Sequence, residues 1–499
     1  MKKYFWTFFC FILIASAALR IVPALNGNFF FTADQGRDAI YVREIIERRQ
    51  IITKGPQTTI AGVYTGPLWY YFLTIGYLIF AGNPFGGIFM IILLSLGVTA
   101  LIMYFTAKRV SIQAGLLTGI IIQSSWFFYD TSRWAFNPFP MLFLTVLVII
   151  FLTEFLITKK TKFYILTLVP VALSFNSNLA SAMAIFIFYA LFGLWAFSRK
   201  ILTWKTYLLA TFVPPAIFMI VAIKQLIGVF SKTGGSLRIF SGFYFIPMAN
   251  NFLRLLSQGV IPQNGVVSLI LIAILVFFYL RLKKKNQFIS YFSTLTGILF
   301  VISYFWFSWN KGWHDWHTIY LPTLIFVSLV LILLSFKNIL ASVVLSLVII
   351  SQLLVFVPRY SQYLQSSNDP SILANQTKIL DWIYKNSEEN GFDVYTFMAD
   401  SDFDYPYQYL FWWYGKGKYG IVPCHYEIFP LSHKYIYVPG GEFNYNKPTK
   451  GCDKLRFYII EPTGDKSRYS KWTSRLENTK LIEKTDIGQI NVQKRELIK

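Results

Sequence analysis

Acidic residues are scarce in this sequence, and most of the chain has very few of them. Before position 358 there are only seven, against 27 Lys and Arg: Asp34, Asp38, Glu44, Glu47, Asp130, Glu154 and Asp315. Charged residues make up 14% of the 499 residues, whereas 55% are hydrophobic, and the mean hydropathy is +0.49. One soluble core cannot bury so much apolar sequence, which excludes a soluble enzyme.

Cysteine is almost absent. The chain has three cysteines, Cys10, Cys424 and Cys452. They allow at most one disulfide bond, between Cys424 and Cys452, and only if that part of the chain lies outside the cytoplasm.

The charge density changes near Arg359. Beyond residue 357 there are 17 acidic and 19 basic residues, as in an ordinary water-soluble domain. We therefore predict a membrane domain at 1–357 and a soluble domain at 358–499. The formal charge of +22 does not indicate nucleic acid binding, because the excess bases lie in short loops between apolar runs.

Eleven apolar runs have about the length needed to cross a bilayer. The first, 1–25, contains Ala15-Ser16-Ala17 and resembles a cleavable signal peptide, but its length favours a retained anchor. The others are 86–107, 110–129, 138–158, 163–178, 179–198, 206–226, 263–281, 288–309, 318–336 and 338–357. The predicted fold is an α-helical polytopic membrane protein with about 11 transmembrane helices.

Basic clusters at every second boundary between runs predict the orientation in the cell membrane. They are Lys2/Lys3, Lys108/Arg109, Lys159/Lys160/Lys162, Arg199/Lys200/Lys205, Arg281/Lys283/Lys284/Lys285 and Lys337. The positive-inside rule places them in the cytoplasm together with the N-terminus, and places 358–499 outside. The short run 66–81 is then a re-entrant helix within an outer loop, 26–85. A short true span, with another hidden elsewhere, is the alternative.

In this orientation six of the seven acids before position 358 lie on the outer side, and only Glu154 faces the cytoplasm. A channel or proton-coupled carrier needs ionisable groups near the bilayer centre. The distribution therefore predicts chemistry at the outer leaflet.

The outer loop 26–85 contains an amphipathic helix that begins near Asp34. One interpretation of Asp34 is that it caps this helix, as Asp often does. The other is catalytic, because acids are rare here and Asp34 follows the first span.

Two stretches carry a resemblance to a known family. They are Asp34-Gln35-Gly36-Arg37-Asp38-Ala39-Ile40-Tyr41 and Gly66-Pro67-Leu68-Trp69-Tyr70-Tyr71. In their order and loop placement they resemble motifs of the GT-C glycosyltransferases. Within that superfamily they are most similar to the protein O-mannosyltransferases and aminoarabinose transferases, which resemble glycosyltransferase family 39. Gln35 stands where the family often has a second acid, and Gly66 where it has His. These departures leave any cofactor or divalent metal open.

The resemblance implies a sugar transferase that uses a polyprenyl-phosphate carrier, with an inverting mechanism, in the lipid bilayer. Its acceptor would be a lipid, a glycan or a protein. We expect Asp34 to be the general base, with Asp130 the next carboxylate to consider. We expect the donor phosphate to bind Arg37, Arg133, Lys232 and Arg238. The alternative for the loop 231–238 is a lipid-headgroup-binding loop.

Two of the four histidines, His314 and His317, flank Asp315. On an α-helix this spacing would allow both rings to share a divalent metal. Contacts to an acceptor hydroxyl and a simple interfacial aromatic belt are the alternatives.

The segment 358–499 is predicted to be a small α/β domain that binds an acceptor or a partner, with a helix near Pro370–Asn386 and strands at 392–397, 434–438 and 455–460. The alternating Asp400, Asp402 and Asp404 are interpreted as solvated acids, with a calcium-binding loop as the alternative. Two other functions remain open: a polymerase or ligase of lipid-linked glycans, and a transporter or flippase.

Overall fold

The computed structural model describes residues 3–58, 63–217, 244–262, 264–282, 286–309, 313–336, 338–365, 367–388, 390–399, 401, 403–424, 426–427, 452 and 454–498. Lys232 and Arg238 of the predicted phosphate loop lie outside these residues. The contacts divide the chain into two units. The helical unit comprises residues 1–20, 52–72 and 88–360, and the sheet unit comprises 21–51, 73–87 and 361–499. The predicted domain boundary at 357/358 stays a prediction.

Fifteen helices precede residue 365 in the described part of the chain. They are α1 Lys3–Leu25, α2 Ala33–Arg48, α3 Leu68–Ile79, α4 Phe85–Arg109, α5 Ile112–Ile121, α6 Trp126–Asp130, α7 Pro140–Thr158, α8 Thr161–Ser174, α9 Leu179–Ser198, α10 204–217, α11 Phe245–Gly259, α12 Gly265–Leu282, α13 Gln287–Ser308, α14 Tyr320–Leu334 and α15 Ile339–Leu364. All eleven predicted apolar runs overlap helices. Of the described helices, six are long and apolar enough to cross a membrane, namely α1, α4, α7, α9, α13 and α15. The number of spans therefore stays a prediction.

Helix α14 forms the centre of the helical unit. Thirteen of its 15 residues are buried, and it contacts α5, α7, α11, α12 and α13. A helix that is apolar on all sides needs such an enclosure or a bilayer. Helices α1 and α15 are also apolar enough to span a membrane, but only 28% of each apolar segment is buried inside the protein. The degree of burial separates the core helix from these peripheral ones.

The cation–acid pair of Arg109 and Glu154 connects α4 to α7. Glu154 is fully buried, and its two carboxylate oxygens accept hydrogen bonds from Nε and Nη2 of Arg109 at 2.6 and 2.5 Å. A buried carboxylate is tolerated only with such a partner. This pairing explains an acid within an apolar run.

Arg20, within α1, is 1% exposed. Its Nη1 donates hydrogen bonds to Ser16 and to Oε1 of Gln123 (2.9 Å), and its guanidinium lies 5.0 Å from the ring centre of Phe128. A charged residue in a spanning helix is expected to face protein and not lipid. Arg20 therefore fixes α1 against the segment that leads into α6.

In the residues that the structure describes, the sheet unit contains a five-stranded mixed sheet and four further α-helices. The strands are β1 Asp393–Phe397, β2 Tyr426–Glu427, β3 Leu455–Ile460, β4 Thr479–Ile487 and β5 Ile490–Leu497, in the order β2-β1-β3-β5-β4. The helices are α16 Leu373–Ser387, α17 Tyr405–Leu410, α18 Lys416–Tyr419 and α19 Lys466–Thr473. β1 is parallel to β2 and β3, whereas β5 is antiparallel to β3 and β4.

The core beneath this sheet is aromatic. Tyr395 and Phe397 of β1 pack with Tyr458 and Ile460 of β3 and with Trp472 of α19. The helix near 370–386 and the strands predicted at 392–397 and 455–460 are confirmed by α16, β1 and β3. The strand predicted at 434–438 lies outside the described residues. The predicted disulfide is confirmed as well, since Cys424 and Cys452 are bonded with their Cα atoms 5.7 Å apart.

Helix α2 packs against α17, and Gly36 makes their close approach possible. A Cβ atom on Gly36 would lie 2.3 Å from the backbone nitrogen of Pro406 and 2.5 Å from the carbonyl carbon of Tyr405. Neither atom belongs to a side chain that could rotate away. The third residue of the acid motif is therefore a packing requirement.

We predict that Gly36→Ala lowers the free energy of unfolding by about 1–3 kcal/mol, because an added methyl group overpacks the contact with Pro406. Thermal unfolding of the purified full-length protein, followed by intrinsic fluorescence, measures this. Gly417→Ala in α18 is the matched control, since a Cβ atom there meets nothing within 4 Å. Equal melting temperatures for Gly36→Ala and the control would contradict the packing role.

Candidate active site

Thr32, and not Asp34, is the N-cap of α2. The backbone N–H of Thr32 donates a hydrogen bond to Oε1 of Gln35 at 2.9 Å, and its hydroxyl donates to the same oxygen at 2.5 Å. Gln35 is thus the third-residue partner of a capping box. The interpretation of Asp34 as the cap is wrong, and the amide that replaces the family's second acid has a structural use.

Arg37 joins the two acids of the motif. Its Nη1 lies 2.7 Å from Oδ1 of Asp34, while its Nε and Nη2 lie 2.9 and 2.8 Å from Oδ1 of Asp38. The side chain of Asp38 is 1% exposed and that of Asp34 is 42% exposed. Asp38 is therefore a buried partner, and Asp34 is the carboxylate that another molecule can reach.

The same geometry bears on the predicted role of Arg37 as a phosphate ligand. Its guanidinium contacts two carboxylates and its side chain is only 19% exposed. An arginine whose charge is already compensated twice is a weak attractor for an anion. We infer that Arg37 orients Asp34.

Two buried titratable groups, Asp404 and Tyr405, lie at the start of α17. Asp404 is 3% exposed and accepts a hydrogen bond from Nε2 of Gln408 at 2.7 Å. Burial raises the pKa of Asp404 to about 6, although the hydrogen bond from Gln408 acts in the opposite direction. Burial also raises the pKa of the neighbouring Tyr405 to about 12. The interpretation of Asp404 as a solvated acid is wrong, and Asp400 and Asp402 lie outside the described residues.

In the helical unit, three loops meet at one end of the helices. Asn137 and Ser177 exchange side-chain hydrogen bonds with each other's carbonyl groups at 2.8 and 2.5 Å. A Cβ atom on Gly66 would lie 1.8 Å from Oδ1 of Asn176. A side chain at position 66, including the family's His, would therefore require the side chain of Asn176 to move.

A cavity of about 690 Å³ lies within the helical unit. Its volume falls in the range of about 300–1,000 Å³ that is usual for ligand sites. Its lining combines aromatic, amide and charged side chains: Trp126, Phe127, Asp130, Thr131, Trp134, Phe139, Asn250, Leu253, Arg254, Ser257, Gln258, Pro262, Gly265, Asp315, Trp316, Ile319, Val355 and Arg359.

The structure thus brings together two of the predicted site residues, Asp130 and Asp315, in one cavity. Arg133 is 2% exposed and does not line it. Two arginines outside the predicted set of phosphate ligands line this cavity. Arg254 pairs with Asp315, and the guanidinium of Arg359 lies 5.3 Å from the ring centre of Trp126. The sequence signal for Arg359 was only its position where the last apolar run ends.

His314 and His317 belong to an aromatic cluster. Asp315–Thr318 is a 3-10 helix, and the two rings lie 5.5 Å apart, with His314 stacked on Trp316 and His317 stacked on Phe307. Nδ1 of His317 accepts the backbone N–H of His314, and burial lowers the pKa of His317 to about 4. Within the described residues, no group of three or more His, Cys, Asp or Glu side chains is placed to hold a metal ion. The geometry supports aromatic packing for this pair.

Comparisons with known proteins bear on the family. Residues 64–223 match the family model of dolichyl-phosphate-mannose-protein mannosyltransferases. The crystal structure of ArnT from Cupriavidus metallidurans bound to undecaprenyl phosphate superimposes with a TM-score of 0.54 at 10% identity, covering 98% of this chain and 97% of that one. The crystal structure of the same ArnT in the apo state superimposes with a TM-score of 0.55 at 11% identity, covering 97% of this chain and 97% of that one. Comparison with curated protein sequences found no match.

The chain shares the fold of ArnT over nearly its whole length, and residues 64–223 match the model of a mannosyltransferase family. The resemblance to GT-C proteins drawn from the two sequence motifs is confirmed, as is the fold class of a polytopic helical membrane protein with a small C-terminal sheet domain. The roles of individual residues stay predictions.

The raised pKa of Asp404 predicts a pH-dependent stability. The carboxyl has a pKa of about 6 in the folded protein, against 3.8 ordinarily. The folded state therefore holds this proton more tightly, and the free energy of unfolding falls as the pH rises from about 4 to about 6. Asp404→Asn removes this loss and should stabilise the protein at pH 7.5 by about 1–3 kcal/mol.

Melting temperatures of wild type and Asp404→Asn at pH 4.5 and 7.5 measure the difference. The exposed Glu477→Gln is the control and should shift neither value. A difference between wild type and Asp404→Asn that does not grow with pH would contradict the assignment.

Proposed function

We propose that this protein is a GT-C glycosyltransferase that transfers a sugar from a polyprenyl-phosphate carrier to an acceptor hydroxyl at the outer face of the cell membrane. The observation that carries the proposal is the acid motif, which holds one accessible carboxylate, Asp34, on the first turn of α2 through Arg37. The fold supports it, because ArnT, which shares this fold, was crystallised with undecaprenyl phosphate.

Asp34 is the general base in this proposal. It accepts the proton of the acceptor hydroxyl while the hydroxyl oxygen attacks the anomeric carbon. The bond between that carbon and the phosphate oxygen breaks, and the carrier phosphate leaves with the electron pair. A single displacement of this kind inverts the anomeric configuration. Arg37 keeps the carboxylate oriented.

Asp130 is a carboxylate of the helical unit. It lines the 690 Å³ cavity together with Trp126, Trp134 and Trp316. Aromatic faces and a carboxylate suit a sugar ring, whose hydroxyl groups donate hydrogen bonds. We assign to Asp130 the binding of a substrate hydroxyl. Arg133, Lys232 and Arg238 remain predicted contacts of the donor phosphate.

We predict that Asp34→Asn lowers turnover by about 10²- to 10⁴-fold, the usual contribution of general base catalysis. Asn keeps the shape of the side chain, and Thr32 still caps α2, so stability should hardly change. The release of undecaprenyl phosphate from undecaprenyl-phosphate-linked sugars by the purified protein, with membrane extract as acceptor, measures turnover. The matched control is Glu47→Gln, an exposed position of the same helix. Normal turnover by a folded Asp34→Asn protein would remove Asp34 from the mechanism.

The outer-face assignment has its own test. In a Cys10→Ser background, Lys450→Cys should react with an impermeant maleimide added to intact cells, whereas Lys285→Cys should react only after lysis. The expectation follows from the basic cluster Arg281/Lys283/Lys284/Lys285, which the positive-inside rule places in the cytoplasm. The opposite labelling pattern would place the chemistry on the cytoplasmic face.

A further inference from the structure

We propose that Arg359 binds the phosphate of the lipid carrier in the cavity of the helical unit, and that Asp315 weakens this binding by neutralising Arg254. The inference rests on the proposed function for the identity of the ligand. It assigns a phosphate site to residues that the sequence motifs do not include.

The charges of the cavity lining distinguish its two arginines. Arg254 forms an ion pair with Asp315, and both side chains are about half exposed. Arg359 is exposed and forms no ion pair with Asp130 or with any other acid in the described part of the chain. Arg359 is therefore the cation of this cavity whose charge is available to a ligand.

The surroundings of Arg359 suit a phosphate. Its guanidinium lies 5.3 Å from the centre of the indole ring of Trp126, a cation–π contact that restricts the orientation of the planar group. The N–H groups at the edge of a guanidinium match two oxygens of a phosphate, which makes arginine the preferred bidentate phosphate ligand. A preorganised guanidinium loses less conformational freedom on binding than a free one.

The position of Arg359 along α15 places it at the depth of lipid phosphates. Helix α15 has 26 residues, or about 39 Å at 1.5 Å per residue, which exceeds the roughly 30 Å of a hydrocarbon core. Arg359 follows its apolar stretch directly. The preceding residues Leu353, Leu354 and Val357 are exposed, as expected for a lipid-facing helix. A lipid-borne phosphate reaches this depth without leaving the bilayer.

Asp315 then acts as an electrostatic brake on the site. Carboxylates near a phosphate repel it, and the ion pair keeps Arg254 engaged. Removal of the charge at position 315 frees Arg254 and removes one negative charge from the cavity. The proposal therefore predicts changes of opposite sign: Arg359→Gln weakens phosphate binding and Asp315→Asn strengthens it.

Binding to the purified full-length protein in lipid nanodiscs tests the proposal, with native mass spectrometry as the readout. The probes are undecaprenyl phosphate, undecaprenol, which lacks the phosphate, and phosphatidylglycerol, whose headgroup offers the same phosphate chemistry. We expect Arg359→Gln to weaken undecaprenyl phosphate binding by about 10-fold or more while undecaprenol binding is unchanged. Arg359→Lys should retain part of the affinity, and Asp315→Asn should increase it several-fold.

Arg281→Gln is the matched control. The guanidinium of Arg281 also lies over an aromatic ring, 4.1 Å from the centre of Phe277, but Arg281 does not line the cavity. This substitution should leave binding unchanged. If Arg359→Gln binds undecaprenyl phosphate as the wild type does, or loses as much affinity for undecaprenol as for undecaprenyl phosphate, Arg359 does not contact the phosphate. Unchanged or weaker binding in Asp315→Asn would overturn the brake. Equal affinity for phosphatidylglycerol would show a headgroup site and overturn the assignment to the carrier.

The proposed function fails separately. If Arg359→Gln loses undecaprenyl phosphate while the wild type releases no carrier from any donor sugar, the phosphate site stands and the transferase proposal falls. If Arg359→Gln binds undecaprenyl phosphate and transfers sugar like the wild type, while Asp34→Asn transfers none, the transferase proposal stands and the phosphate site at Arg359 is wrong.

Discussion

The ion pairs of Arg37 with a buried and an accessible carboxylate are the interaction on which the candidate site depends. Asp38 is enclosed and needs a cation, because a buried carboxylate without a partner is strongly destabilising. Arg37 supplies it and holds Asp34 with the other edge of the guanidinium. Gly36, between these residues, allows α17 to pack on α2. The seven residues 32–38 thus combine a helix cap, a packing contact and an ion-pair network. The carboxylate of Asp34 remains accessible to a substrate.

The scarce acids before position 358 are used mainly as partners of arginine. Asp34 and Asp38 contact Arg37, Glu44 contacts Arg43 and Arg48, Glu154 contacts Arg109, and Asp315 contacts Arg254. This part has 27 bases and only seven acids, so most of its bases cannot have an acidic partner. The cations held by acids fix the structure, whereas Arg359, which follows this part of the chain and forms no ion pair among the described residues, is the one that we propose binds an anionic lipid.

The sequence predicted the apolar helices, β1, β3, α16 and the disulfide, since each has a strong local signal. It did not predict the β4–β5 hairpin, because Lys480, Glu483 and Lys484 interrupt any alternation of apolar residues. Local patterns also could not show that Asp404 is buried or that Arg359 faces a cavity, since both facts depend on residues distant in the chain. Asp34 was selected by motif, but its helix position and its partner required coordinates.

The sheet unit is closed by contacts between parts of the chain that are very far apart in sequence. The N–H of Phe31 donates to the carbonyl of Ser371 at 2.7 Å, the N–H of Ala374 donates to that of Gly27 at 3.0 Å, and Gln376 bonds to Phe31. Contacts of such long range carry a high loop-closure cost. During synthesis, these hydrogen bonds of the segment that leads into α2 cannot form until the chain beyond residue 371 has emerged. A ribosome that stops before residue 371 therefore leaves Asp34 on a helix that lacks them, so that assembly of the acid motif is coupled to synthesis of the segment 371–376.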